Sequence, residues 1–523
     1  MSFLTQSRTK RLLAIHGWSG TILGLLLYAV IVTGAVVVFE HEIDTWSQGV
    51  LQPHENLGTT VDRHFRTHAQ KVDRKYYEEV RIFPSVSGDI RYLFHTHESD
   101  AESGQIVETG IELAVDPKTG KIVDRWEGNL ADRPGDPASA LRSFLVDLHV
   151  QLYVPAPWGL ILTGILGLAM MAAAVSGILI HKHLIRDAFL AARDTKRLVG
   201  ARDLHVLAGT WGLPFAFLLA FTGAFFSFAI SVGFPAMVMV AFDGNQEAAI
   251  EAIMGSSEKP DLTPAPMANL DEILADAVSR TGGTVNSIQI MHHGSAAAKV
   301  MVNMAAAGGD LAPTNLGYEG MTGAFQGERP SFGQAPSLGE TVFSIIAPLH
   351  FGNFAGLASK TVWFGLGLAM AWVTATGMLL WTKRREELPL WQRFRHVVTV
   401  VIWGLPLGML TSAAAYFLAL PVGDPEWWTP LGFMIGAAAA IVLGIRHETA
   451  TTKLRMATAL MCLGLPLLRH LTGGTSWSEA LMAGAGTIMM IDMLLMAAGV
   501  MLLRRRRAVP KQLQPASLHE PAE

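Results

Sequence analysis

The chain has 523 residues, 50% of them hydrophobic and 16% charged, with a mean hydropathy of +0.33. Soluble domains average about 25% charged residues, so this chain has given up polar surface. A net charge of −4 offers no basic field for nucleic acid, and a single cysteine, Cys462, excludes an internal disulfide.

A membrane helix needs about 20 mostly apolar residues. The first such run covers 13–39 and carries His16 near its front. It is too long for the core of a signal peptide, and the acidic stretch Glu40–Asp44 follows it instead of a small-residue cleavage site, so it reads as a retained anchor. A polar segment follows, with β-branched runs and the turn "DPKTGK", which predict strands joined by a hairpin. His149 then precedes Pro155 and Pro157, which predicts a short interfacial helix before the second span at 158–181. The third run, 205–232, opens on His205. Within the next polar segment "LDEILADAVSRTGG" predicts a helix with a Gly stop, followed by further strand-like runs. Five more spans are predicted at 359–381, 397–419, 428–446, 454–471 and 480–503.

The chain thus reads as a mainly α membrane protein with about eight transmembrane helices and two small α+β domains. Its parts are 1–40, 41–148 (first polar domain), 149–203, 204–232, 233–349 (second polar domain), 350–385, a four-helix membrane extension at 396–507, and a tail at 508–523. Lys and Arg cluster at alternate span ends: Arg8 to Arg11, Lys182 to Arg202, Lys383 to Arg395, Arg446 to Arg455, and Arg504 to Arg507. Positive residues stay in the cytoplasm, so both termini are expected there and both polar domains on the opposite side. No ring of polar residues repeats through the spans, which argues against a transporter.

A repeat runs through the first two-thirds. His16, Gly20 and Thr33-Gly34 match His205, Gly209 and Thr222-Gly223 in spacing. Each second helix of a unit begins with Leu-His, at His149 and His350, repeats Gly-Leu-Ala-Met at 167–170 and 367–370, and closes at Gly177 or Gly377. Two copies in the same orientation predict a pseudo-two-fold axis along the membrane normal. That axis would bring His16 to His205 at the cytoplasmic side and His149 to His350 at the other. Eighteen residues of helix separate His16 from Gly34, about 27 Å, close to the hydrocarbon thickness of about 30 Å.

Ionisable residues in or at the edge of a membrane span are functional candidates. Facing imidazoles suit the two axial positions of a b-type haem; no Cys-x-x-Cys-His exists for covalent attachment. Gly20 and Gly209, one turn from His16 and His205, would leave room for a flat macrocycle or would serve close helix packing. His181 is the substitute ligand for the inner site; Trp381 takes its place in the second unit. His95 and His97 share a strand face and can bind a metal, whereas adjacent His292 and His293 point to opposite faces. Asp492 is a buried acid with a hydrogen-bonding role inside the bundle, and Trp427 and Trp428 read as interfacial. No Gly-rich dinucleotide fingerprint follows a strand, so NAD(P)H and flavin are not expected.

The opening helix with "LLAIHGWSGTILG", the two Leu-His helices and "RDLHVLAGTWG" resemble the PepSY-associated transmembrane helix family, and "LAVDPKTGKIVDRWEG" resembles its PepSY domain. The likeness covers about 8–385. It implies an inner-membrane oxidoreductase of the ferrisiderophore reductase kind, carrying haem b and facing the periplasm. His16, His149, His205 and His350 occupy the positions of the family's recurrent histidines, with the pairing around two haems inferred from the repeat. The expected reaction is reduction of a periplasmic ferric siderophore by electrons from a quinol or a cytoplasmic reductase. Two other readings stand beside it: a membrane-anchored domain that binds peptides or a protease without redox activity, and a haem protein that delivers electrons to a periplasmic partner protein.

Overall fold

The structure is a computed structural model, and it describes residues 5–49, 57, 60–85, 87–99, 106–180, 189, 197–246, 248–249, 252, 260–306, 311–331, 333, 335 and 337–504. His181, the substitute ligand, and the tail at 508–523 lie outside the described residues.

The first anchor is two helices, α1 (Gln6–Ile22) and α2 (Gly24–Val37), bent by 66°. The short helices α3 (Glu40–Gln48) and α4 (Val61–Ala69) lead into four strands: β1 (Glu79–Pro84), β2 (Ile90–Ser99), β3 (Ile106–Val115) and β4 (Ile122–Asn129). Helix α5 (Ala140–Val150) then brings the chain to the long span α6 (Trp158–Ile180). The second unit repeats this order. Helix α7 (Arg197–Trp211) leads to α8 (Leu213–Phe228), which continues through a π-helical turn at Ala229–Gly233 into α9 (Phe234–Ala241). Then come α10 (Leu270–Thr281), β5 (Val285–Met291), β6 (Lys299–Met304), β7 (Thr314–Glu319) and β8 (Phe325–Arg329), and finally α11 (Leu338–Phe351) and the span α12 (Gly356–Lys383). The extension is α13 (Pro389–Ala419), α14 (Pro425–Gly444), α15 (Ala450–Leu471), the short α16 (Trp477–Met482) and α17 (Gly486–Leu503). Among the described residues seven helices are long and apolar enough to cross a membrane, and eight if the bent first pair counts as one span.

Two expectations change. The polar segments do not fold as separate small domains. Their strands pair into one antiparallel sheet of order β4-β3-β2-β1-β5-β6-β7-β8, joined where β1 pairs with β5. Each half alone would leave β1 or β5 as an open, apolar edge, and pairing satisfies both rows of backbone groups. One core serves both halves: Val80, Ile82, Tyr92 and Phe94 share it with Ile288, Ile290, Val300 and Val302, under α4 and α10. The two helices cap each other. Asp62 Oδ1 accepts from the Leu270 amide at 3.0 Å, and Asp271 Oδ1 accepts from the Asp62 amide at 3.2 Å, satisfying amides that a helix start leaves unpaired. The β3-β4 and β7-β8 turns match as well, each closing on a left-handed glycine, Gly120 (φ 67°) and Gly323 (φ 72°).

The second change concerns spans one and three. Both break seven residues after their histidine, at Leu23 and at Gly212, where Pro214 follows. The straight-helix distance of about 27 Å from His16 to Gly34 therefore shrinks to about 23 Å once the 66° bend is included. The third span also runs further than predicted, from Leu213 to Ala241.

The extension is fastened to the first unit. Trp46 of α3 and Leu141 and Phe144 of α5 share a core with Tyr416, Phe417, Leu465 and Ile488. Asp492 accepts from Trp46 Nε1 (2.8 Å), Arg469 (2.7 Å) and Trp477 Nε1 (2.9 Å), so the predicted hydrogen-bonding acid is the centre of a buried ion pair.

Candidate cofactor-binding histidines

Each of the four span histidines packs against the other membrane helix of its own unit. His16 Nδ1 lies 3.0 Å from the Ala173 carbonyl and 3.2 Å from Ser176 Oγ, both on α6. His149 Nδ1 lies 3.0 Å from the Val30 carbonyl and 3.4 Å from Thr33 Oγ1, both on α2. In the second unit His205 Nδ1 is 3.2 Å from Thr376 Oγ1 on α12, and His350 Nδ1 is 2.8 Å from Thr222 Oγ1 on α8.

These partners share a sequence signature: a hydroxyl residue followed by glycine. The pairs are Ser176-Gly177, Thr33-Gly34, Thr376-Gly377 and Thr222-Gly223. The glycine is where the ring rests. A Cβ placed there would approach the imidazole Cε1 at 2.7 Å (Gly34 on His149), 3.1 Å (Gly377 on His205), 3.2 Å (Gly223 on His350) and 3.6 Å (Gly177 on His16). The same ring atom meets the same motif four times, so the four imidazoles are posed alike.

The hydroxyls fix the tautomer. Thr33, Ser176, Thr222 and Thr376 already donate to carbonyls of the preceding helical turn, at 2.7, 3.0, 2.8 and 2.8 Å. A hydroxyl has one hydrogen, so towards histidine each oxygen accepts. The carbonyls of Ala173 and Val30 can only accept. Every Nδ1 therefore carries the proton, and every Nε2 presents a lone pair with no hydrogen-bond partner among the described residues. A neutral imidazole with Nδ1–H tied to an oxygen is the usual form of a metal-ligating histidine.

The His149 and His350 ring centroids are 6.3 Å apart, with planes 26° from parallel. Two imidazoles on opposite sides of one metal, at about 2.0–2.1 Å each plus about 1.1 Å from nitrogen to ring centre, place centroids about 6.3 Å apart. Donor chemistry and spacing thus both fit an ion held between these rings. His16 and His205 sit on α1 and α7, against the ends of α6 and α12 that lie away from α5 and α11. Thr163, which bonds the Val150 carbonyl beside His149, and Ser176, which meets His16, are thirteen residues apart on α6. That puts the two levels about 20 Å apart, in keeping with the bent first anchor.

Gly20 and Gly209 touch no imidazole. A Cβ at Gly20 would meet nothing within 4 Å, and one at Gly209 would meet only Val373 at 3.8 Å. Trp381 lies against Gly17, beside His16, and forms an aromatic cluster with Trp18 and Trp391 under the Arg385 guanidinium. Sequence reading had the Thr-Gly pairs of α2 and α8 but missed their equivalents in α6 and α12. The signal was present in "VSGIL" and "ATGML"; only the Ser/Thr exchange hid it.

In the sheet, Glu79, His95 and His97 offer ligand atoms that all lie within 4.8 Å of one another. The hydrogen bond between His97 and Glu78 holds the Glu78 carboxyl down to about 2 and raises the His97 imidazole. His292 takes a left-handed backbone (φ 51°) just past β5 and His293 is wedged edge-on against Phe65 and Tyr77, and neither belongs to the ligand cluster.

The sequence profile of the PepSY-associated TM region matches residues 13–384. The chain is also 28% identical over 322 residues to the uncharacterized protein PA4219 of Pseudomonas aeruginosa, across 57% of this chain and 78% of that protein.

Proposed function

This chain belongs to the PepSY-associated TM family, and from that premise we propose that it carries electrons across the bacterial inner membrane to a periplasmic ferric siderophore. In this reading His149 and His350 hold one b-type haem and His16 and His205 a second. Both termini face the cytoplasm and the eight-stranded sheet faces the periplasm. The observation that carries the reading is the fourfold recurrence of one constellation: an imidazole on a Ser/Thr-Gly pair, Nδ1–H donated, Nε2 left as a lone pair.

When bound, haem b supplies a one-electron iron couple. The chain does the rest. The hydroxyl-glycine pairs orient each ring, so that no rotamer search or proton loss is needed before ligation. The apolar spans exclude water and lower the local dielectric. The extension holds α3 through the Trp46–Asp492–Arg469 network and packs Tyr416 and Phe417 against α5, which carries His149. The Lys360 ammonium, 2.7 Å from Glu42, ties α12 to α3 at the same level. The donor is a quinol or a cytoplasmic reductase, and the acceptor is Fe(III) in its chelate. One electron converts it to Fe(II), which oxygen chelators hold weakly.

The test is reduction of a ferric siderophore by the detergent-purified, dithionite-reduced protein after excess dithionite is removed, with Fe(II) trapped by ferrozine. Fe(II) should appear as the reduced haem bands decay, one iron per electron. Haem bands that persist in the presence of several ferric chelates would favour electron delivery to a partner protein. A colourless protein would leave the anchored binding domain.

A further inference from the structure

We propose that Glu79, His95 and His97 form a divalent transition-metal site on the sheet, separate from the membrane histidines and independent of any haem. Strand register builds it. Glu79 of β1 pairs directly with His95 of β2, and His97, two residues on, shares that face. Two imidazoles and one carboxylate are a ligand set for Fe(II), Zn(II) or Co(II).

His95 supplies the independent observation. It is 0% exposed, and neither ring nitrogen has a hydrogen-bond partner. Its Nε2 is 3.4 Å from Glu79 Oε1, near but poorly aimed. Buried polar atoms are rarely left so, because an unmade bond costs about 1–3 kcal/mol. Glu79 Oε1 already accepts from Arg81 Nε at 2.6 Å and Gln289 Nε2 at 2.8 Å. Its Oε2 has no partner among the described residues and is available to an ion.

His97 is prepared from outside. Its Nδ1 is 3.1 Å from Glu78 Oε1, the carboxylate–histidine arrangement that orients metal ligands. Its Nε2, the ligand atom, is 3.6 Å from Glu108 Oε1 on β3, a carboxylate that lies beside the cluster and outside it. Ligand atoms around a tetrahedral ion at about 2.0–2.1 Å lie about 3.4 Å apart. The present spread of up to 4.8 Å closes by rotation of His97, whose side chain is 33% exposed. A purely structural role would keep His95 beside Glu79 as a 3.4 Å ion pair and would bind no metal.

The experiment is titration of the full-length, tag-free, chelator-stripped protein in detergent with Co(II), read by its visible d–d bands, and with Zn(II) by competition. The wild type should bind one equivalent that His97→Ala loses, with affinity reduced at least about a hundredfold. Glu78→Gln should weaken it about 10–100-fold. Because His97 is part-exposed, its loss leaves the fold intact, checked by an unchanged circular dichroism melt. A wild type that takes up no cobalt or zinc, or a His97→Ala variant that binds the same equivalent with unchanged affinity, overturns the proposal.

Discussion

The four glycines under the imidazoles form a graded series. Alanine places a methyl 2.7 Å from His149 Cε1 at Gly34, 3.1 Å from His205 at Gly377, 3.2 Å from His350 at Gly223 and 3.6 Å from His16 at Gly177. Ordinary carbon contacts begin near about 3.5 Å. Gly34→Ala therefore forces His149 back by about 0.8 Å, well beyond the ±0.2 Å that metal–ligand distances tolerate. The ring must leave its position or strain the core by about 1–3 kcal/mol. Gly377→Ala and Gly223→Ala need only about 0.3–0.4 Å, and Gly177→Ala none. The assay is haem per protein by pyridine haemochromogen, with the reduced absorption bands, on protein purified identically. Gly34→Ala should lose the haem near the sheet, Gly377→Ala and Gly223→Ala should keep theirs at reduced occupancy or with shifted bands, and Gly177→Ala should match wild type. Full occupancy in Gly34→Ala, or loss in Gly177→Ala alone, would refute the reasoning.

Asp492→Ala leaves the buried Arg469 guanidinium unpaired and frees two indole N–H groups. It should destabilise the protein by about 3–5 kcal/mol, read as thermal unfolding in detergent, and Asp492→Ala/Arg469→Met should recover much of that loss. In the sheet domain, burial and the neighbouring Arg66 push the His293 imidazole down to about 4. The unfolded chain then binds the proton more readily, so stability is full above pH 6.5 and falls as pH drops towards 4, by up to about 3 kcal/mol. His293→Phe should flatten that slope in pH-dependent urea unfolding; an unchanged slope would show that another group titrates.

The membrane character, the span count and the repeated histidines were legible in the sequence, because hydrophobic length and fixed spacing are local properties. The helix Leu270–Thr281 was likewise read from its own cap and stop signals. What escaped is long-range. Nothing local says that β1 meets β5, since Val80 and Ile288 read as core strands of separate domains until their open edges pair. The bend at Leu23 is marked only by Gly24, and glycines are scattered through the apolar run without bending it elsewhere, so that residue alone does not announce the break. Ser176 and Thr376 lay in plain view inside apolar helices, but only a structure shows each facing an imidazole from another helix. His95 and His97 were paired by alternation alone, while Glu79 came from a neighbouring strand that the sequence could not place.

The most direct measurement is the visible spectrum and haem content of the detergent-purified protein before and after dithionite, alongside His16→Ala, His149→Ala, His205→Ala and His350→Ala. The account predicts about two low-spin b-type haems per chain. His149→Ala and His350→Ala should each remove the same one, and His16→Ala and His205→Ala the other. Four variants that all retain both haems, or a wild type without any, would contradict it.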